Sequence, residues 1–139
     1  MGDSVSALYA TGMHSEGEFP EGANGEPLFL RESRRRIYAA VYRSDKTLAV
    51  FFGRPPMMGW RYSDRRQQLD ISDEAIVSDD PKSLDEHLSR VDSAGWNLDG
   101  MIYPASYNRL RCQLAVFKER LLEQSLAGEK DSSVVHNIQ

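Results

Sequence analysis

The chain has 139 residues, of which 40% are hydrophobic and 27% charged, with a net charge of −4 and a single cysteine. That length fits one domain built on one core. No apolar run is long enough for a bilayer-spanning helix, the first residues lack the basic and apolar regions of a secretion leader, and Cys112 alone cannot form an internal disulfide, which fits a reducing compartment.

Charge is unevenly spread. Residues 1–30 hold five acids and no base, residues 31–66 ten bases against three acids, and residues 67–102 nine acids against Lys82 and Arg90. Basic and acidic segments that neutralise each other locally are the expected outcome. A nucleic-acid face is the less favoured reading, because the acidic block would oppose phosphate.

The first predicted element is a short helix over Ser4–His14, in which Val5, Leu8 and Tyr9 recur at helical spacing and Gly12 ends the run. Gly2 and Ser6 also fit the loose N-myristoylation pattern, but this stretch is as well explained as helix. Residues 15–27 are loop by their glycines, prolines and Asn-Gly pair.

A long amphipathic helix is predicted from about Leu28 to Phe52. Its stripe is Ile37, Val41, Ser44, Leu48 and Phe51 or Phe52, with Tyr38, Ala40 and Ala49 beside it. Gly53 supplies a left-handed stop, and Pro55 and Pro56 prevent the helix from resuming. Arg34, Arg35 and Arg36 open this helix, but consecutive helical positions point about 100° apart, so they form no single patch. Asp45 borders the stripe. A buried carboxylate there needs a cation, which Arg54, or Arg109 or Arg111 of the last helix, could supply; Arg54 is the expected one, holding the turn at the helix end, and a solvated Asp45–Lys46 surface is the alternative. Phe51, Phe52, Met57, Met58 and Trp60 cluster around the turn as a candidate effector or partner surface, although such clusters are more often core.

From Met57 to Gly100 the pattern is weak. Ser72–Val77 and Leu84–Val91 are candidate short helices, the second opened by Ser83 with Glu86 as a capping box. Leu69-Asp70-Ile71 is extended in the alternative, and Gly59, Gly95 and Gly100 mark turns. A last helix spans about Tyr103–Ala127, with a heptad-like seam of Tyr107, Leu110, Leu114, Phe117 and Leu121 continuing from Tyr103. That seam is expected to pack on the Ile37–Phe52 stripe. Gly128 ends the helix, and residues 128–139 form a flexible tail.

Chemistry is sparsely signalled. His14, His87 and His136 are far apart in sequence, no Cys-x-x-Cys occurs, and Asp79-Asp80 lacks the remainder of a calcium loop. Cys112 has arginine beside it but no histidine near in sequence, and reads as an inert helix residue. An enzyme is not expected.

In order, the chain carries Ser6-Ala7-Leu8-Tyr9-Ala10-Thr11-Gly12-Met13-His14, Glu32-Ser33-Arg34-Arg35-Arg36, Asp45-Lys46, and Phe52-Gly53-Arg54-Pro55-Pro56, followed by Leu69-Asp70-Ile71. Their order and spacing resemble the helical middle-homology regulatory domain of fungal zinc-cluster transcription factors, over roughly residues 4–127. The resemblance implies an all-α partial regulatory domain acting in the nucleus on RNA polymerase II transcription, through protein contacts and in some members a small-molecule effector. Arg34, Arg35, Arg36, Asp45, Gly53, Arg54, Pro55 and Pro56 match the family motif. DNA binding and zinc belong to the family's separate six-cysteine cluster, so no cofactor and no direct DNA contact are expected of these residues. The resemblance further implies a fragment or truncated product, with apolar surface left exposed. The alternative is a stand-alone helical module that binds and modulates a full-length relative.

Overall fold

A computed structural model describes residues 1–16, 26–78 and 80–135, with side chains as far as Ala127. Its helices are α1 (Gly2–Ala10), α2 (Leu28–Phe52), α3 (Asp73–Val77), α4 (Pro81–Ser89) and α5 (Pro104–Val135), with a 3-10 turn at Trp60–Tyr62. The architecture is all-α, dominated by the two long helices the periodicity predicts. Among the described residues the one β feature is an isolated antiparallel bridge between Val91 and Asn97. The centre of the predicted 15–27 loop, Asp79, and the last four residues with His136 lie outside the described residues.

Helix ends follow local chemistry. Gly53 adopts φ 61°, and the amides of Gly53 and Arg54 donate back to Val50 and Ala49. This is the paired bonding that satisfies the last carbonyls of a helix through a left-handed residue. α3 is capped by Ser72, whose hydroxyl accepts from the Ala75 amide at 3.2 Å. α4 starts three residues before the expected Leu84. Asp80 caps it by accepting from the Lys82 amide, and Pro81, with its fixed φ and missing N–H, takes the first helical position in place of the Ser83 box. α5 runs through Gly128 rather than stopping there. A glycine within a helix costs only about 1 kcal/mol and is no stop unless the backbone turns left-handed.

The larger deviation concerns faces. α2 buries Glu32, Arg35, Tyr38, Ala39, Tyr42, Asp45, Lys46 and Ala49. Away from that face Ile37 and Phe51 are exposed and Val41 and Leu48 only partly buried, while Val50 and Phe52 are exposed at the end of the helix. α5 buries Ala105, Ser106, Arg109, Cys112, Ala115 and Glu119, while its apolar seam faces solvent. The two long helices are the most extensively packed pair in the fold, and they meet through small and polar side chains. The predicted seam-on-stripe packing is therefore reversed on both helices.

The physical reason lies in residues 57–72 and 90–103, which contain little regular structure. Their buried amides and carbonyls need partners, and the charged residues of the inner faces provide them. The main apolar core joins Val5 and Leu8 of α1, Tyr38, Ala39 and Tyr42 of α2, Met58, and Cys112 and Ala115 of α5. Ile71, Ala75 and Ile76 form a smaller cluster beneath Leu28.

Candidate functional site

The most developed polar site is the turn that follows α2. Pro55 and Pro56 have no N–H, so the first donors after them are Met57 and Met58. Asp45 captures both, accepting from Met57 at 2.9 Å and from Met58 at 2.9 Å. Its neighbour Lys46 reaches Asp45 at 3.0 Å, Glu119 of α5 at 3.4 Å and the Met58 carbonyl. The ammonium donates to Asp45 and to the Met58 carbonyl, with Glu119 as its second ion-pair partner. Glu119 in turn accepts from the Tyr42 hydroxyl at 2.5 Å and from the Trp60 amide at 3.0 Å. Asp45 and Lys46 are both 0% exposed. Burial and the bond to Glu119 push the Tyr42 phenol far above its ordinary value. The site is a buried clamp that joins the turn after α2 to α5.

Arg54, the expected partner of Asp45, stands 3.9 Å from it and is about one-third exposed. It is a minor contributor beside the two amides and Lys46. The solvated alternative is excluded by burial.

A second cluster ties the N-terminal segment to α2. Arg35 bonds Glu32 at 2.6 Å and also Glu16, and Glu32 accepts from the Leu69 amide at 2.9 Å. Burial opposes the Arg35 charge, but the bond to Glu16 and the field of Glu32 outweigh it and raise its pKa. Arg65 donates to the Met13 carbonyl at 3.0 Å and lies 3.4 Å from Glu16. A third cluster holds α5 to the 90–103 segment. Asp70 accepts from Ser106 and Asn97, each at 2.5 Å, and Arg109 donates to the carbonyls of Gln68 and Ala94 while lying over the Trp96 ring. Gly95, at φ 89°, leaves room for it, since a Cβ there would sit 2.9 Å from the guanidinium.

The arginine triplet diverges as helix geometry requires. Arg34 meets Glu26 at 2.5 Å, Arg35 turns into the second cluster, and Arg36 meets Asp73 of α3 at 2.7 Å. Within the 31–66 basic block, Arg36 thus pairs with the following acidic block, whereas Arg34, Arg35 and Arg65 find Glu26, Glu16 and Glu32.

The residues proposed as an effector or partner surface divide between core and surface. Met58 is core, and Trp60 packs edge-on to Tyr42 with ring centroids 5.6 Å apart. Phe51 and Phe52 form an exposed perpendicular pair, with Met57 also exposed. A shallow apolar depression of about 420 Å³ lies elsewhere, lined by Leu28, Phe29, Ile76, Val77 and Leu84.

Glu119 carries no mark in the sequence, and Glu32, Asp70 and Arg109, each legible there in another setting, prove to be buried partners of irregular backbone. The signal was present: Glu32, Arg35, Ala39, Tyr42, Lys46 and Ala49 recur at helical spacing, a second stripe of charge and small residues on α2. Cys112 is 3% exposed, and burial raises its thiol pKa. Among the described residues no group of histidine, cysteine and carboxylate side chains is arranged to hold a metal, and no helix is long and apolar enough to cross a membrane. No family model, curated protein or solved structure matches the chain.

Proposed function

We propose that this chain is a helical regulatory region of the kind carried by fungal zinc-cluster transcription factors, acting in the nucleus through protein contacts. One observation supports the reading above others. Four residues from the motif pieces of that resemblance, Glu32, Arg35, Asp45 and Lys46, are buried in the clamps, and Gly53, Pro55 and Pro56 form the stop that brings the Met57 and Met58 amides to Asp45. Such a motif specifies scaffold, and DNA and zinc binding fall to the family's separate cluster.

The test is a reporter assay in yeast with the chain fused to a heterologous DNA-binding domain. Reporter output should move several-fold from that of the DNA-binding domain alone at equal expression, and Asp45→Ala should abolish the change. Unaltered output from a folded, nuclear fusion would contradict the proposal. The second reading, a stand-alone module that modulates a full-length relative, draws on the outward apolar stripes of α2 and α5. Co-precipitation with such a relative, without any reporter effect of the fusion, would favour it.

A further inference from the structure

The outer face of α5 carries Tyr107, Leu110, Leu114, Phe117 and Leu121, each 49–59% exposed. They recur at intervals of three and four, so they form one seam about 21 Å long on a single face. Half-exposed side chains of this size amount to on the order of 500 Å² of apolar surface, at the upper end of what a monomer leaves bare.

The borders of the seam indicate what covers it. At 100° per residue, Arg111 and Lys118 fall along one edge and Gln113 and Arg120 along the other. The Arg111 guanidinium lies over the Tyr107 ring at 5.3 Å. Arg43 of α2 extends the cationic edge by donating to Asn108 at 3.2 Å. Between Pro104 and Leu122 the helix has one acid, Glu119, and it is turned inward onto Tyr42 and Trp60. Over this stretch of α5 the seam is therefore apolar with cationic edges, and the helix itself supplies no compensating carboxylate to it.

A second copy fits this face poorly. Antiparallel self-pairing would oppose Arg111 and Lys118, and parallel pairing would set Lys118 against Gln113, with no opposite charge in either case. We propose that this face of α5 docks an amphipathic helix of another protein, one whose own apolar seam is bordered by Asp or Glu. Apolar knobs would fill the seam, and carboxylates would pair with Arg111, Lys118 and Arg120, supplying orientation and selectivity. The proposal rests on reading the chain as a protein-contact domain. Peptide binding and reporter activity are separate readouts, so one can fail without the other.

The test uses the whole chain and two fluorescein-labelled three-heptad peptides. Both carry Leu at a and d; one has Glu at e and g, the other Lys. By fluorescence anisotropy at low salt, the Glu peptide should bind at least about tenfold more tightly than the Lys peptide, and high salt should narrow the difference. Leu114→Gln with Phe117→Gln should remove binding while leaving the circular dichroism spectrum unchanged. Arg111→Glu with Lys118→Glu should reverse the preference toward the Lys peptide. Equal affinity for both peptides, or no binding of the Glu peptide, would overturn the proposal. So would a stable dimer in light scattering that Leu114→Gln dissociates, because a second copy would then occupy the face.

Discussion

Replacing Asp45 by alanine removes the centre of the clamp. Two buried amides, Met57 and Met58, lose their acceptor, and Lys46 keeps only Glu119 and the Met58 carbonyl as partners for its buried charge. Leaving one member of a buried ion pair without its partner costs about 3–5 kcal/mol, and the orphaned amides fall within that same range rather than adding in full. Against a total stability of about 5–15 kcal/mol, this is a large share. For a chain of this size, about 3–5 °C per kcal/mol gives a fall of about 10–25 °C in Tm. Arg54→Ala is the internal control. Its contact is 3.9 Å long and partly solvated, so it should cost less than about 1 kcal/mol. Thermal and urea melts followed at 222 nm measure both variants. If Asp45→Ala melted within a degree or two of the parent, or if Arg54→Ala cost as much as Asp45→Ala, the clamp would not organise the turn.

Gly53→Ala should lower stability by about 1–2 kcal/mol in urea melts, through left-handed backbone strain alone, since a Cβ at Gly53 would meet nothing within 4 Å. Alkaline pH should destabilise the fold. Burial raises the Tyr38 phenol from 10.0 to about 12, so between those values the unfolded chain ionises there while the folded chain does not. Stability contributed by the protonated phenol is intact below pH 10 and declines as pH rises toward about 12, by at most about 1.4 kcal/mol per unit from this residue. Tyr38→Phe should show a shallower decline in urea midpoints across that window. On α5, Leu110→Gln and Leu114→Gln should each change stability by less than about 0.5 kcal/mol, whereas Ala115→Leu, on the inner face, should cost about 1–3 kcal/mol through overpacking. Urea midpoints of the three proteins compare these directly.

Elements were more legible in the sequence than faces. The span of α2 and its end at Gly53 follow from periodicity, glycine and the proline pair, all of which act locally. Which side turns inward depends on what packs there, and residues 57–72 contribute little periodicity to read. Asp45 was recognisable as a carboxylate in need of a partner, but its partners proved to be amides twelve and thirteen residues on, freed by the prolines, more than Arg54. Glu119 was invisible because its role depends on Tyr42, Lys46 and Trp60, which lie more than fifty residues earlier in the chain. The rule that the most apolar stripe faces the core failed on both long helices. The irregular segments demand charged partners from the inner faces, and the apolar seam of α5 is left facing solvent.

That reversal is the central claim, and two positions on one helix test it. Cys112 lies on the inner face of α5 at 3% exposure, and Leu114, two residues on, lies on the outer face at 52%. In native buffer, Ellman's reagent should label the Cys112 thiol only as fast as the protein unfolds. Leu114→Cys, made with Cys112→Ala, should react at close to the rate of an unfolded thiol while retaining its helical spectrum. Rapid labelling of Cys112 together with protection of the thiol at position 114 would show that the apolar seam is the buried face, and the account would be wrong.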